Sequence, residues 1–203
     1  MKKIMFNDRY GLTQAVIEGR KTTTRRIELD ESEQNAISAG SFKIKDNFLI
    51  VWQNGQIIMS VPTRYKVGEI VAVAQSYENA GIDETETIPY HKFLIIAREH
   101  KGWRNKMYVS ADLMLHRICI TGVRCERLQD ISDEECIREG VLDVTYFKVG
   151  THPYELFALP GHEDEETFNT PRQAFASLID RVAGKGTWQK NPWVVVYEFE
   201  LVK

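Results

Sequence analysis

The chain has 203 residues, of which 43% are hydrophobic and 27% are charged. This composition excludes a disordered chain, and the length suits one domain with insertions. With 26 lysines and arginines against 29 aspartates and glutamates, the formal net charge is −3 at pH 7, so the molecule as a whole lacks the positive field of a non-specific DNA-binding protein.

The sequence shows no sign of a membrane segment or a secretion signal. No apolar run approaches the length of a membrane span, and acidic Asp8 interrupts the N-terminal residues before an apolar segment forms. The three cysteines are odd in number and lack the paired spacing of metal ligands: Cys119, Cys125 and Cys136. We therefore expect a cytoplasmic protein with reduced thiols, no membrane contact, no bound metal and no cofactor.

The first predicted element is a short amphipathic helix at about residues 9–18. Apolar or small residues recur there with the i, i+3, i+4, i+7 spacing of one helix face: Leu12, Ala15, Val16 and Gly19. The glycine is a typical helix stop, and a basic run follows it directly.

Strand patterns dominate the middle of the sequence. The polar stretch 28–40 is typical of a loop. Beyond it, three apolar stretches separated by turn residues predict an inserted β-meander: 42–45, 48–52 and 57–61. Three more stretches predict further strands: 70–74, 93–97 and 117–123.

A second helix is predicted from its capping residues. Ser132 and Glu135 have the spacing of a capping box, in which each side chain satisfies a backbone N–H at the start of a helix. We expect this helix to run to Glu139 and to stop at Gly140.

The C-terminal part of the sequence predicts a loop, a third helix and a strand. The stretch 145–169 is loop-like, and the acidic residues near His162 indicate a solvated surface, since they lack metal-ligand spacing. A helix begins at Thr170 and Pro171, a cap followed by proline at the first helical position. Its apolar stripe, which we expect in the core, is Phe175, Leu178, Ile179 and Val182. Residues 193–201 predict a final strand.

Together these elements predict an α+β protein. We expect a small mixed β-barrel with two or three short helices and the inserted β-meander. A single domain should span residues 1–203, with insertions near 30–60 and 145–168.

The basic run after the first helix is the first candidate site. It contains four cations: Arg20, Lys21, Arg25 and Arg26. Such a run is often an ordinary solvated surface whose charges stabilise the end of a helix. Lys21 and Thr24, however, are three residues apart across a predicted turn, so the amine and the hydroxyl could face the same side. A lysine whose pKa is lowered by burial activates a neighbouring hydroxyl, and nearby arginines suit phosphate.

Glu139 is the second candidate. It lies in the last turn of its predicted helix, where a carboxylate opposes the helix dipole. Either the side chain is exposed and its charge is screened by solvent, or it pairs with Lys21 or polarises a ligand.

At these residues the sequence resembles the ASCH family, whose members share a PUA-like barrel. The family signature, a Gly-x-Lys at the end of the first helix followed by threonine and arginine, corresponds to Gly19–Arg26. Other segments are similar to the larger, phage-type branch of the family: 67–73, 123–132, 139–141, 175–178 and 188–193. The resemblance therefore implies a PUA-like small barrel.

Some small ASCH proteins are amidohydrolases that remove the acetyl group from N4-acetylcytidine. Matching motif to motif, the resemblance implies that Thr24 attacks the acyl carbon, Lys21 takes its proton, and Glu139 orients the lysine or the leaving amine. A nucleoside or RNA ligand is the partner that follows from this resemblance. This chain is about twice as long as those small enzymes.

Two alternatives use the same residues differently. A non-catalytic reader of RNA or of a modified base would bind through Arg20, Arg25 and Arg26, with Trp103 and Arg104 as an exposed stacking pair. A protein-interaction module would instead use the β-meander and the acidic loop as contact surfaces.

Overall fold

The computed structural model describes residues 1–81, 100–145 and 155–202. The strand predicted at 93–97 lies outside these ranges, as does part of the predicted insertion at 145–168. The described residues form eleven strands: β1 (Lys3–Ile4), β2 (Thr23–Arg26), β3 (Ser41–Lys45), β4 (Phe48–Gln53), β5 (Gln56–Pro62), β6 (Ile70–Val73), β7 (Arg117–Arg127), β8 (Leu142–Asp143), β9 (Phe157–Ala158), β10 (Thr167–Phe168) and β11 (Trp193–Val202). They also form five α-helices: α1 (Leu12–Ile17), α2 (Glu31–Ala39), α3 (Asp133–Arg138), α4 (Pro171–Ala183) and α5 (Thr187–Lys190).

A five-stranded mixed sheet is the centre of the fold, so the predicted α+β class is confirmed. Its strand order is β1-β6-β7-β11-β2, with β1 parallel to β6 and the other pairs antiparallel. The long strands β7 and β11 pair over their whole lengths, and their inward residues Ile118, Ile120 and Val196 are fully buried.

The central sheet is open in the part of the chain that the structure describes, so the closed β-barrel predicted from the sequence is not formed there. Strands β1 and β2 are its two edges and do not pair with each other. A side chain nevertheless links the two edges, because Arg26 Nη2 in β2 donates a hydrogen bond of 2.7 Å to the carbonyl of Met5, just after β1. Phe6 and Phe199 also pack with their ring centroids 5.7 Å apart. The gap between the edges is where the candidate site lies.

The predicted β-meander is confirmed as a separate three-stranded sheet of order β3-β4-β5. The interpretation of 28–40 as a loop is wrong, because α2 occupies most of it. Asp30 and Glu33 form a capping box at the start of this helix, and Ile37 is its one buried residue. A helix with so narrow an apolar face has almost no hydrophobic periodicity to detect.

The helices predicted from caps are confirmed, with one error in the packing. Ser132 caps α3, and Thr170 caps α4 with Pro171 in its first turn. Three of the four stripe residues of α4 are buried, but Val182 is 42% exposed. It was predicted in the core; instead it lies on the last turn, where α4 extends past the core and borders a cleft.

Two local predictions also need correction. The first helix is shorter than 9–18, because Gly11 has a φ of 57° and separates a 3-10 turn at Asp8–Tyr10 from α1. The stretch 145–169 was predicted as a loop, but its described part contributes β9 and β10 to a small sheet with β8. In the ranges that the structure describes, no helix combines the length and the apolar character needed to cross a bilayer.

Candidate functional site

A cleft of about 270 Å³ lies at the gap between the two edges of the central sheet. Residues 5–7, after β1, and the side of α4 provide its apolar walls. Its charged or hydroxyl-bearing side chains come from β2, from the residues before it and from the end of α3: Lys21, Thr24, Arg25, Arg26 and Glu139. The structure thus brings together the three residues predicted as catalytic.

Lys21 is held at the base of the cleft by the way α1 ends. Gly19 adopts a left-handed φ of 74°, and the backbone N–H of Lys21 then donates to the carbonyl of Ala15. The side chain is only 2% exposed. Burial lowers the pKa of Lys21, because the charged amine loses its hydration, although the Glu139 carboxylate partly opposes this shift.

Glu139 caps the C-terminus of α3 and points inward. Its carboxylate Oε2 is 2.6 Å from Lys21 Nζ, and its backbone carbonyl accepts a second bond of 2.7 Å from the same nitrogen. The next residue, Gly140, has a φ of 111°, and a Cβ there would be 3.1 Å from Leu12 Cδ2. Glycine at this position therefore lets the end of α3 pass close to α1, which brings Glu139 over Lys21 although 118 residues separate them.

Arg25 is buried in an ion network and does not face solvent. Its side chain is 1% exposed and donates to three carboxylates, those of Glu126 at 2.6 Å, Glu135 at 2.8 Å and Glu139 at 3.0 Å. Arg124 holds Glu126 and Glu135 from the other side. Since protein carboxylates already use its donors, Arg25 orients Glu139 more readily than it could bind a ligand phosphate.

Thr24 lies in β2, where the sequence pattern predicted a turn, so the three-residue spacing is not what brings it near Lys21. It pairs with Tyr197 of β11 and is 5% exposed. Because β2 is an edge strand, side chains from both of its faces reach the cleft. Among the described residues the Thr24 hydroxyl makes no hydrogen bond, and Lys21 Nζ bonds to Glu139 and not to Thr24.

Arg26 is a cleft cation that forms no ion pair with any residue of the described ranges. Its Nη2 donates to the Met5 carbonyl, and the guanidinium lies 5.5 Å from the centroid of the Phe6 ring. Its Nε is buried and has no hydrogen-bond partner. Burial lowers the pKa of Arg26, which is a measure of how poorly this charge is hydrated.

The remaining predicted binding residues do not line the cleft. Arg20 is exposed and pairs with Glu18 at 2.6 Å. Trp103 is half-buried against a second hydrophobic cluster, and Arg104 is 84% exposed with its Nε 3.9 Å from Glu78. These side chains therefore do not form a continuous basic groove with the cleft.

His162, which lies next to the acidic residues of the predicted solvated surface, has partners for both ring nitrogens. Nδ1 is 2.8 Å from the Glu165 carboxylate and Nε2 is 3.0 Å from the Arg9 carbonyl. Within 1–81, 100–145 and 155–202, no three His, Cys, Asp or Glu side chains are grouped as a metal site.

Sequence reasoning missed the carboxylates that hold Arg25. Arg124 and Glu126 are two residues apart in β7, so their side chains point to the same face of the sheet, and this spacing was a detectable signal. Their partners, however, come from β2 and α3, and only the strand order shows that these elements meet.

No protein-family model, no curated protein and no solved structure matches this chain.

Proposed function

We propose that the cleft is the active site of an amidohydrolase that acts on N4-acylated cytidine-like nucleosides. One observation carries this proposal: a buried lysine, held by Glu139, and an unbonded threonine hydroxyl line the same cleft. A hydroxyl and a lysine whose pKa is lowered form a usable nucleophile and base. The proposal also rests on the resemblance of Gly19–Arg26 to the ASCH signature.

We further propose that the central sheet is an opened form of the PUA-like barrel. The bond from Arg26 to the Met5 carbonyl supports this, because it links the two edge strands that a closed barrel would pair. On this view the cleft occupies the seam of the barrel.

The hydrogen bonds of Lys21 suit a general base. A neutral amine has two N–H groups and one lone pair, and its two bonds to Glu139 use the two N–H groups. The lone pair is then left to accept a proton. Glu139 accordingly orients the lysine, and Arg25 holds the other carboxylate oxygen of Glu139 at 3.0 Å.

The reaction proceeds in two steps. Thr24 Oγ attacks the acyl carbon while its proton passes to neutral Lys21. The bond from the acyl carbon to N4 then breaks, and the exocyclic amine of the cytosine leaves with the proton from Lys21. A water molecule, deprotonated by Lys21, attacks the acyl ester on Thr24; the bond from the acyl carbon to Thr24 Oγ breaks, Lys21 returns the proton to Oγ, and a carboxylic acid is released. Arg26 lines the cleft without an ion-pair partner in the described ranges, so its guanidinium charge favours the negative charge that develops on the acyl oxygen.

The size of the cleft favours a free nucleoside over an RNA strand. About 270 Å³ is close to the lower end of the roughly 300–1,000 Å³ of small-molecule sites. An RNA reader would need a groove in which cations and aromatic rings adjoin, whereas Arg25 is neutralised by carboxylates and Trp103 lies away from the cleft. Single-stranded RNA should therefore bind weakly even at low salt.

The test is an assay of N4-acetylcytidine with chromatographic detection of cytidine and acetate. We expect turnover by the wild-type protein and its loss in Lys21→Ala. Thr22→Ala is the matched control, since Thr22 precedes β2 and does not line the cleft. If the wild-type protein binds the nucleoside without turnover, the cleft is a reader's pocket and the hydrolase proposal fails.

A further inference from the structure

A second cavity of about 250 Å³ lies between the β-meander and the central sheet. The meander provides Leu49 and Val61, β11 provides Val195, and the segment after β2 provides Glu28 and Leu29. No residue that lines this cavity also lines the candidate cleft. The two sites are therefore distinct.

Glu28 is the carboxylate of this cavity, and its side chain accepts a hydrogen bond from Tyr197. The hydroxyl of Tyr197 accepts a hydrogen bond of 3.0 Å from the backbone N–H of Arg64, so its own proton is donated to Glu28 Oε1. Within the described ranges, Glu28 forms no ion pair. Burial raises the pKa of Glu28, because the cavity hydrates the carboxylate poorly.

Arg64 and Arg26 both lower the pKa of Glu28 by charge attraction, but burial outweighs them, and neither forms an ion pair with Glu28 in the described ranges. Arg64 is an exposed residue at the rim of the cavity, and its guanidinium lies 5.8 Å from the centroid of the Tyr65 ring. An anion held by Arg64 would remain largely in solvent and would be repelled by Glu28. A cation that entered the cavity would instead provide the charge that Glu28 lacks, and this pairing is strong where water is excluded.

We infer that this second cavity binds a small organic cation, a primary amine or an amidine with a compact apolar body. The amine pairs with the Glu28 carboxylate, which Tyr197 holds in place. The apolar body packs against the aliphatic walls provided by Leu49, Val61 and Val195. Such a combination of an apolar lining with one oriented polar group is the usual form of a small-molecule site.

Benzylamine is the probe that matches this chemistry, and benzyl alcohol is its uncharged counterpart. Binding is followed by the ¹³C chemical shifts of methyl groups around the cavity: those of Leu29, Leu49, Val61 and Val195. We expect saturable shifts at these methyls with benzylamine and at least about ten-fold weaker binding of benzyl alcohol, since a charge-assisted bond contributes about 1.4 kcal/mol or more.

Four variants separate the proposal from its rivals. Glu28→Gln should weaken benzylamine binding at least about ten-fold, whereas Glu31→Gln, the same change on the exposed first turn of α2, should not. Val61→Phe should block binding with no change of charge. Thr24→Ala should bind benzylamine normally, so the test does not depend on the proposed hydrolysis. Shifts confined to other methyls, equal affinity for the alcohol, or unaltered binding to Glu28→Gln would overturn the inference.

Discussion

Replacing Arg25 by methionine should destabilise the protein strongly, because Arg25 joins the ion network behind the cleft. That network has three cations and four carboxylates: Lys21, Arg25 and Arg124 against Glu126, Glu135, Glu139 and Glu198. The substitution keeps the apolar length of the side chain but removes its charge. Two cations would then face four carboxylates.

The expected loss of stability depends on which cation each carboxylate keeps as a partner after the substitution. Removing one partner of a buried ion pair costs about 3–5 kcal/mol. Glu139 is only 5% exposed but keeps Lys21, while Glu126 and Glu135 are 17% and 21% exposed and keep Arg124. These remaining contacts place the expected loss near the lower end, at about 3 kcal/mol. A domain with about 5–15 kcal/mol of stability would still fold.

The assay is urea unfolding at pH 7 and again at pH 4. Burial alone would raise the pKa of Glu135, but the Ser132 N–H, Arg25 and Arg124 together lower it below the usual value. A carboxylate with a lowered pKa stabilises the fold above its unfolded pKa and loses that contribution as the pH falls through its folded pKa. The difference between wild type and Arg25→Met should therefore shrink in acid.

The matched control is Arg20→Met. Arg20 has the same charge, but it is exposed and pairs only with Glu18, so its loss should be within about 0.5 kcal/mol. If Arg25→Met loses less than about 1 kcal/mol at pH 7, or if its deficit grows toward pH 4, the buried network does not hold Glu139 in place.

Three other predictions concern the helices and the lysine. Leu178→Ala should lose about 2–5 kcal/mol in denaturant unfolding, whereas Val182→Ala on the same helix should lose less than about 1 kcal/mol because Val182 is exposed. Gly140→Ala should lower the thermal midpoint and the activity together, since it strains a φ of 111° and presses on Leu12; unaltered activity would show that the end of α3 can shift freely. The rate of N4-acetylcytidine hydrolysis should rise with pH through the lowered pKa of Lys21 and then level off, because only the neutral amine accepts a proton; a rate that falls over that range would exclude Lys21 as the base.

Local signals in the sequence predicted the parts of the fold that local physics determines. The caps at Ser132 and Thr170 satisfy backbone N–H groups within four residues, so they identify α3 and α4 directly. The meander follows in the same way from strand alternation and turn residues. Helix α2 was missed because Ile37 alone faces the core, although the Asp30 to Glu33 spacing was a readable signal.

The sequence identified Lys21, Thr24 and Glu139 as members of one site but not the geometry that joins them. The other candidates Arg20, Trp103 and Arg104 do not line the cleft. Gly19 to Thr24 form one short run, but Glu139 joins them only because Gly140 allows α3 to approach α1. The role of Arg25 could not be predicted for the same reason. Its partners Glu126 and Glu135 are 101 and 110 residues away, and no local pattern specifies contacts over that distance.

We propose that Thr24 is the nucleophile of an amidohydrolase, so replacing its hydroxyl should abolish turnover. Cytidine release from N4-acetylcytidine is measured for wild type, Thr24→Ser and Thr24→Ala under identical conditions. We expect Thr24→Ser, which keeps a hydroxyl, to retain measurable turnover, and Thr24→Ala to lose at least about 1,000-fold. Turnover by Thr24→Ala within about ten-fold of wild type would contradict the proposal, because a nucleophile cannot be removed at so small a loss.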